Sequence, residues 1–559
     1  MILVGVIAAM AVVGIVLLLI PRAPPPEQER AQRYVKAFAA GDYPAMYAEL
    51  TDAARRARAL NAFSDDHRRA RATATAIAFA PGAVSNPEDG VVTVPVTVQT
   101  RAFGAIRQTL RLPFDGEDDN ARIAWSGHLT FPGVKDGEKL ERTLRLPRRA
   151  DILARDGTPL AQGESRTSPL GAVATAISGS LDAAPPERVD ELRARGVPDD
   201  AKVGTSGLER VFDEQLTGRP GGSLRAGARL LASTSPGPAS ALRTTIDPAV
   251  QRAAVEALGS QFGGVAVMRP RSGEILALAG VAFSSLQPPG STFKMITLAG
   301  SLEARIAGPN SSYPVETKTS LEGVEIENAN GESCGGSLRL SFAHSCNSVF
   351  APLGARLGAE RLVEISERFG FNESLGIPGA ATSTIPEAGE IGDALAVGSS
   401  AIGQGKVQAT ALMMSWVAAT IAEGGTRIAP TLRAGRPRPA AKRVLRPTTA
   451  RTVGRFMEAV VNVGTGSAAK IGGVRVAGKT GTAELKTTAT PDCTPTPEAP
   501  CPPVQADDPT DTDAWFAAYA PAARPRIAVG VVLIANGSGG DTAAPVARQV
   551  LVAGLKATR

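Results

Sequence analysis

Residues 288–294 run Pro288-Pro289-Gly290-Ser291-Thr292-Phe293-Lys294, and this run organises the rest of the chain. The prolines cannot continue a helix and Gly290 permits a sharp turn, so a helix is expected to begin at Ser291. Ser291 and Lys294, three residues apart, share one face of that helix. At a helix N-terminus the free backbone N–H groups and the dipole favour negative charge. Upstream, Gly264-Val265-Ala266-Val267-Met268 and Glu274-Ile275-Leu276-Ala277-Leu278 read as two strands joined by a turn at Arg271-Ser272-Gly273. A hairpin, a loop and then a serine nucleophile on a helix make a workable covalent active site.

Two later strings complete the set. Ser345-Cys346-Asn347 supplies a hydroxyl and an amide, and Lys479-Thr480-Gly481-Thr482 a cation with two more hydroxyls. In this order they are the parts of an acyl-transfer site that uses no histidine base. Each string alone is weak. Ser467-Ala468-Ala469-Lys470 has the same Ser-x-x-Lys spacing, but it follows Gly464-Thr465-Gly466 and lacks the proline-glycine entry. It reads as an ordinary polar position at a helix start. Singly, Lys294 reads as a structural lysine, Ser345 as a helix cap and Thr480 as a strand threonine; the ordered triple with its flanks carries the functional reading.

On these strings the chain resembles a class B penicillin-binding protein, a monofunctional peptidoglycan D,D-transpeptidase. Thr245-Ile246-Asp247 with Gln251, Ile402-Gly403-Gln404-Gly405, and the run from Val476 to Glu484 resemble signatures of that family. So does Gly204-Thr205-Ser206-Gly207-Leu208-Glu209 with Gly218 and Gly221. The resemblance extends from about Leu144 to the end. It departs at Arg149–Gly157, where Ala150 and Ala154 stand in place of a glycine and an aspartate.

The resemblance implies a role for each residue. Ser291 is the nucleophile, Lys294 its base and Ser345 a proton relay to the leaving amine. A lysine acts as base only when neutral, and lowering its pKa from about 10.4 to near 7 costs about 4–5 kcal/mol. Burial and the charge of Lys479 both push that way. Asn347 bonds Lys294 and a substrate amide. Backbone N–H groups of Ser291 and Thr482 form the oxyanion hole, where one lost donor costs about 3–4 kcal/mol. Lys479, Thr480 and Thr482 grip the terminal carboxylate of D-Ala-D-Ala, and Gly481 keeps the strand edge clear of a side chain that would crowd the substrate. β-Lactams, with a carboxylate and a strained amide at similar places, are trapped as acyl-enzymes. No cofactor is implied. The implied partners are peptidoglycan stem peptides, the cytoplasmic membrane and a polytopic glycosyltransferase, in cell division or cell-shape maintenance.

Two other readings compete. One is a β-lactamase or D,D-carboxypeptidase, which passes the acyl group to water. The Ser-x-Asn string and the long N-terminal region argue against a class D β-lactamase, and no Glu-x-x-Leu-Asn string of the class A type is present. The other is a non-catalytic β-lactam sensor or divisome scaffold, which the complete motif set disfavours.

At 559 residues the chain suggests two to four domains, and its net charge of +6, without a long basic run, leaves no nucleic-acid footprint. Residues Ile2 to Ile20 are apolar and uncharged, enough to span about 30 Å as a helix. An uncleaved single-pass anchor over residues 1–20 is preferred to a cleaved signal peptide, for want of a small-x-small site. The resemblance places the catalytic domain outside the membrane. No Lys or Arg precedes the segment and Arg22 follows it, so flanking charge does not set its orientation.

The expected class is multidomain α+β. Residues 27–135 read as a small α+β unit, with helical periodicity from Glu29 to Leu50, strands at Val91–Val98 and Gln108–Leu112, and a last strand at Arg122–Trp125. It resembles the NTF2-like N-terminal domain of methicillin-resistance penicillin-binding proteins, in a spacer or interaction role. Residues 136–240 correspond to the family's dimerisation or pedestal region, with a loop at Gly218–Gly222. Residues 241–559 correspond to the transpeptidase domain, an antiparallel sheet between helices closed by a helix at Pro545–Leu555. Of four cysteines, Cys493 and Cys501 flank a Pro/Thr/Asp-rich insertion (Thr488–Asp511) and would staple it as a lid or docking loop. Cys334 with Cys346 is a second possible pair, unless Cys346 is only a small buried residue. Zinc is not expected, since there are only three histidines and they form no zinc-ligand cluster with the cysteines.

Overall fold

The structure is a computed structural model and describes residues 24–435, 437, 440–484 and 511–558. The apolar segment at 1–20 and the Cys493–Cys501 pair lie outside the described residues. Among the described residues no helix is long and apolar enough to cross a membrane. The chain divides into two compact units, one of the described residues up to 149 with 182–203 and 214–240, the other of 150–181, 204–213 and 241 onward. The stretch 136–240 therefore contributes to both.

The first unit opens with four helices, α1 (Pro26–Ala40), α2 (Tyr43–Ala48), α3 (Asp52–Ala57) and α4 (Leu60–Thr73). The periodicity from Glu29 to Leu50 belongs to two helices rather than one. Gly41 ends α1 at φ +74°, and the Asp42 side chain caps α2 by accepting from Ala45 N at 3.1 Å. Strands β1 (Ala76–Pro81), β2 (Val91–Thr100), β3 (Ala105–Asp115) and β4 (Arg122–Ile123) follow as an antiparallel sheet in sequential order. In β2 the period of two puts Val92, Val94, Val96 and Val98 in a core with Tyr34, Phe38 and Phe63. A second antiparallel sheet joins β5 (Leu140–Arg145), β6 (Gly221–Ala226) and β7 (Arg229–Thr234), with β6 central. Gly221 and Gly222, expected in a loop, thus open a strand.

The second unit is built on one sheet. Helix α5 (Pro248–Leu258) leads into β8 (Gly263–Met268) and β9 (Ile275–Gly280), the expected hairpin. After α6 (Lys294–Glu303) come β10 (Ser312–Glu316), a hairpin of β11 (Lys318–Leu321) and β12 (Val324–Glu327), and β13 (Cys334–Ser337). Helices α7 (Leu338–Ala343), α8 (Asn347–Leu357), α9 (Ala411–Ala422) and α10 (Pro447–Val463) precede β14 (Ala477–Glu484), β15 (Thr512–Ala520), β16 (Ile527–Leu533) and the closing α11 (Ala544–Ala557). The five strands lie in the order β9-β8-β16-β15-β14, all antiparallel. Packed on both faces, β8 and β16 are buried throughout. Helices α5 and α11 share a core with one face, through Val250, Val265, Val529, Val531 and Leu551. Against the other lies α9, apolar on every side; a Cβ on Gly530 would fall 2.1 Å from Ala411 O, so glycine allows that approach.

Thr245, Asp247 and Gln251 fasten α5 to the edge strand β9. Thr245 Oγ1 donates to Ile275 O at 2.7 Å, and Asp247 caps α5 by accepting from Ala249 N and Val250 N. The fully buried Gln251 spans Leu278: its Nε2 donates to Leu278 O at 2.8 Å and its Oε1 accepts from Leu278 N at 2.9 Å. Gln251→Met keeps the volume but leaves both backbone groups unpaired, at about 1–3 kcal/mol each. Denaturant unfolding should show a loss of about 2–4 kcal/mol; a loss under about 0.5 kcal/mol would mean that β9 is held by other means.

Candidate active site

Ser291 lies in a 3₁₀ turn, Gly290–Phe293, that runs into α6, rather than on the α-helix itself. Thr292 Oγ1 donates to Pro289 O at 2.6 Å and tightens the turn. Gly290 takes φ +51°, and its N–H donates to Gly403 O at 3.0 Å. A Cβ on Gly290 would lie 2.5 Å from Thr482 O, and one on Gly403 2.0 Å from Gly290 O. Three strings far apart in sequence therefore meet backbone to backbone, with Ser291 half-buried at the junction. Strand β14 is terminal in the sheet, so one of its edges is free of strand pairing.

The Ser345-Cys346-Asn347 turn connects α7 to α8. Ser345 sits at φ +62°, a left-handed conformation costing a non-glycine residue about 1–2 kcal/mol. It turns the Ser345 carbonyl inward, where Lys294 Nζ donates to it at 2.6 Å. Lys294 Nζ also donates to Asn347 Oδ1 at 2.6 Å and lies 3.3 Å from Ser345 Oγ. From the opposite side Lys479 Nζ reaches Ser345 Oγ at 2.8 Å and donates to Thr480 O at 2.9 Å. Both lysines are fully buried. Their Nζ atoms lie over the rings of Phe350 and Phe342, at 5.8 and 5.6 Å.

Burial, and then the charge of Lys479, hold the Lys294 amine well below the ordinary lysine range. Burial brings Lys479 down to about 7. Neutral Lys294 has two protons, and two good acceptors, Ser345 O and Asn347 Oδ1, take them. Its lone pair is left for a hydroxyl, as a general base requires.

Thr480 and Thr482 join the site through neighbours that motif spacing did not reveal. Thr480 Oγ1 lies 2.5 Å from Thr465 Oγ1, and Thr465 N donates to Ala343 O at 3.1 Å. Thr465 belongs to the Gly-Thr-Gly that precedes the second Ser-x-x-Lys string. That string itself is a 3₁₀ turn, Ser467–Ala469, and only its upstream flank reaches the site. Gly539 N donates to Thr482 Oγ1 at 3.4 Å. Gly481 lies against the nucleophile turn. A Cβ there would meet Pro289 O (2.8 Å), Trp515 Cβ (2.9 Å) and Thr292 Cγ2 (3.0 Å), so glycine lets β14 close on the nucleophile turn. Cys334 and Cys346 form a disulfide with Cα atoms 5.8 Å apart, so Cys346 is more than a buried spacer.

A serine in a tight turn, two buried lysines sharing a second serine, and an open strand edge define an acyl-transfer enzyme of the Ser-x-x-Lys kind. The penicillin binding protein transpeptidase domain model matches residues 263–552, and the penicillin-binding protein dimerisation domain model residues 154–226. The chain belongs to the penicillin-binding protein transpeptidase family. It is 32% identical over 420 residues to the peptidoglycan D,D-transpeptidase PbpA of Mycolicibacterium smegmatis, covering 63% of this chain and 80% of that one. The crystal structure of PBPA from Mycobacterium tuberculosis aligns with a TM-score of 0.55 at 26% identity, over 73% of this chain and 99% of that one. An imipenem acyl-enzyme complex of penicillin-binding protein A from M. tuberculosis aligns with a TM-score of 0.55 at 25% identity, over 73% and 99%.

Two outcomes are expected. Gly481→Ala should push the Ser291 turn off β14 and cut the rate of acylation by penicillin tenfold or more; an unchanged rate would mean the turn absorbs the methyl freely. The second concerns the charge on Lys479. Its folded pKa of about 7 lies below the unfolded 10.5, so burial costs stability below pH 7 and the cost fades as pH rises to 10.5. At about 1.4 kcal/mol per unit the cost is on the order of 5 kcal/mol. Lys479→Met should raise the thermal unfolding midpoint at pH 7, raise it less at pH 10, and abolish acylation. A lowered midpoint at pH 7 would show that the lysine's bonds outweigh its burial.

Proposed function

We propose that the protein is a serine peptidoglycan D,D-transpeptidase of cell-wall synthesis, acylated by β-lactams through Ser291. The observation that carries this reading is the shared Ser345 hydroxyl between two buried lysines, beside a serine held against a free strand edge. Ser291 Oγ attacks the carbonyl carbon of the penultimate D-alanine and its proton passes to Lys294. Ser345 relays a proton to the departing D-alanine nitrogen as the C–N bond breaks. The amine of a second stem peptide then attacks the acyl-enzyme, returns its proton to the site and frees Ser291. Lys479 with the hydroxyls of Thr480 and Thr482 holds the donor carboxylate, and Asn347 serves both Lys294 and the substrate amide. Backbone N–H groups of Ser291 and Thr482 take the oxyanion.

The finer expectations are part of the same proposal. The helices and antiparallel sheet of the first unit are consistent with an NTF2-like domain acting as a spacer or interaction module. The uncharged apolar run at residues 1–20 supports a single-pass anchor with the catalytic domain outside the cytoplasmic membrane. A polytopic glycosyltransferase is the expected partner in supplying glycan strands.

Intact mass after exposure to penicillin, for wild type and Ser291→Ala, tests the reading. A slowly released adduct on the wild type alone is expected. Rapid loss of penicillin without an adduct would move the assignment to a β-lactamase. Neither adduct nor loss, with no turnover of a D-Ala-D-Ala thioester, would leave a non-catalytic role.

A further inference from the structure

The Ser345–Asn347 turn is held from outside by a segment that none of the three motifs contains. Asn328, at the end of β12, is buried, and its amide is fully engaged. Its Nδ2 donates to Glu316 O at 2.8 Å and to Glu332 O at 2.9 Å. Its Oδ1 accepts from Ser348 N at 2.8 Å, in the first turn of α8, where an N–H has no partner within the helix. One residue earlier, Glu327 O accepts from Asn347 Nδ2 at 2.8 Å. That bond fixes which end of the Asn347 amide faces inward and delivers Oδ1 to Lys294. Residues 327 and 328 thus hold 347 and 348. At the other end of the segment Glu332 bonds His344 at 3.0 Å, and Cys334 is disulfide-bonded to Cys346. Four attachments therefore bracket Ser345, the one residue of the turn in a left-handed conformation. Such a conformation persists where its surroundings over-determine it.

We infer that Asn328 is a positioning residue for acyl transfer, and that the segment 327–334 is a latch that keeps Ser345 and Asn347 in register with Lys294 and Lys479. This rests on the transpeptidase reading and adds to it a residue that touches neither substrate nor reacting atoms. Asn328 joins the carbonyls of Glu316 and Glu332 to the N–H that opens α8. A side chain lacking the amide donors faces two carbonyl oxygens without a proton between them, and the turn is freed.

The test uses the full chain with Asn328→Ala and Asn328→Asp. The aspartate keeps the acceptor for Ser348 N–H at the same size but sets a carboxylate oxygen against the carbonyls of Glu316 and Glu332. Acylation by penicillin is followed by intact mass across pH, beside thermal unfolding and Ser291→Ala as control. The alanine variant should acylate ten- to a hundredfold more slowly and the aspartate variant at least as slowly as alanine, with the disulfide intact. The acid limb of the rate should also move. Two acceptors 2.6 Å from Lys294 Nζ favour its protonated form, and Lys479 is the other titratable group facing it. Loosening the turn removes that support, so the limb shifts to lower pH, which a loss of stability alone would not do. Wild-type rate and limb in both variants would overturn the inference while leaving the transpeptidase reading in place. A slower rate that tracks lost folded protein, with the limb unmoved, would also overturn it. A wild type that is not acylated at Ser291 would overturn both.

Discussion

One hydroxyl, Ser345 Oγ, stands between two lysine amines taken out of water. Everything else in the second unit follows from the need to hold that arrangement. Two buried lysines repel, and each is costly to charge, so the pair favours the state with a single proton fewer. Lys294 follows directly on the serine turn and has two acceptors for its remaining protons, the arrangement that the proposed role of base needs. Lys479, stacked over Phe342 and bonded to Thr480 O, remains the candidate for carboxylate recognition. Removing water from the pair sets both its cost and its chemistry.

The sheet supplies the rigidity. Because β8 and β16 are buried on both faces, β14 and the hairpin that leads to Ser291 are anchored in one body. Contacts between backbones at Gly290, Gly403 and Gly481 then bring the nucleophile turn against the edge strand more closely than any side chain would permit. The glycines of these signatures are there for contact between main chains, and the polar residues for chemistry.

Much of this was legible along the chain. The strands of the opening hairpin and the closing helix fell where local pattern put them, and the structure brings the three motifs together, with Ser291 in a 3₁₀ turn just ahead of the expected helix. The misreadings have physical causes. Gly41 breaks the Glu29–Leu50 periodicity because a left-handed residue ends a helix even where the apolar spacing continues. The contact of Gly481 with the nucleophile turn was not legible because strand alternation does not say which face meets that turn. Thr465 went unnoticed because its hydroxyl acts through Thr480, which is fifteen residues away in sequence and 2.5 Å away in space. The Cys334–Cys346 pair was open because sequence spacing does not give the distance between Cα atoms.

The sequence by itself determined the chemistry: serine, lysine, asparagine and threonine in one order, with proline and glycine where a helix must start and main chains must touch. These are local properties, set by side-chain type and backbone freedom. Only the tertiary structure decided how deeply the two lysines are buried, which way the Asn347 amide points and what holds Ser345 at a positive φ. Those depend on burial and on partners from distant segments such as Glu327, Asn328 and Phe350, and free energies of that kind exist only once the chain has closed around them.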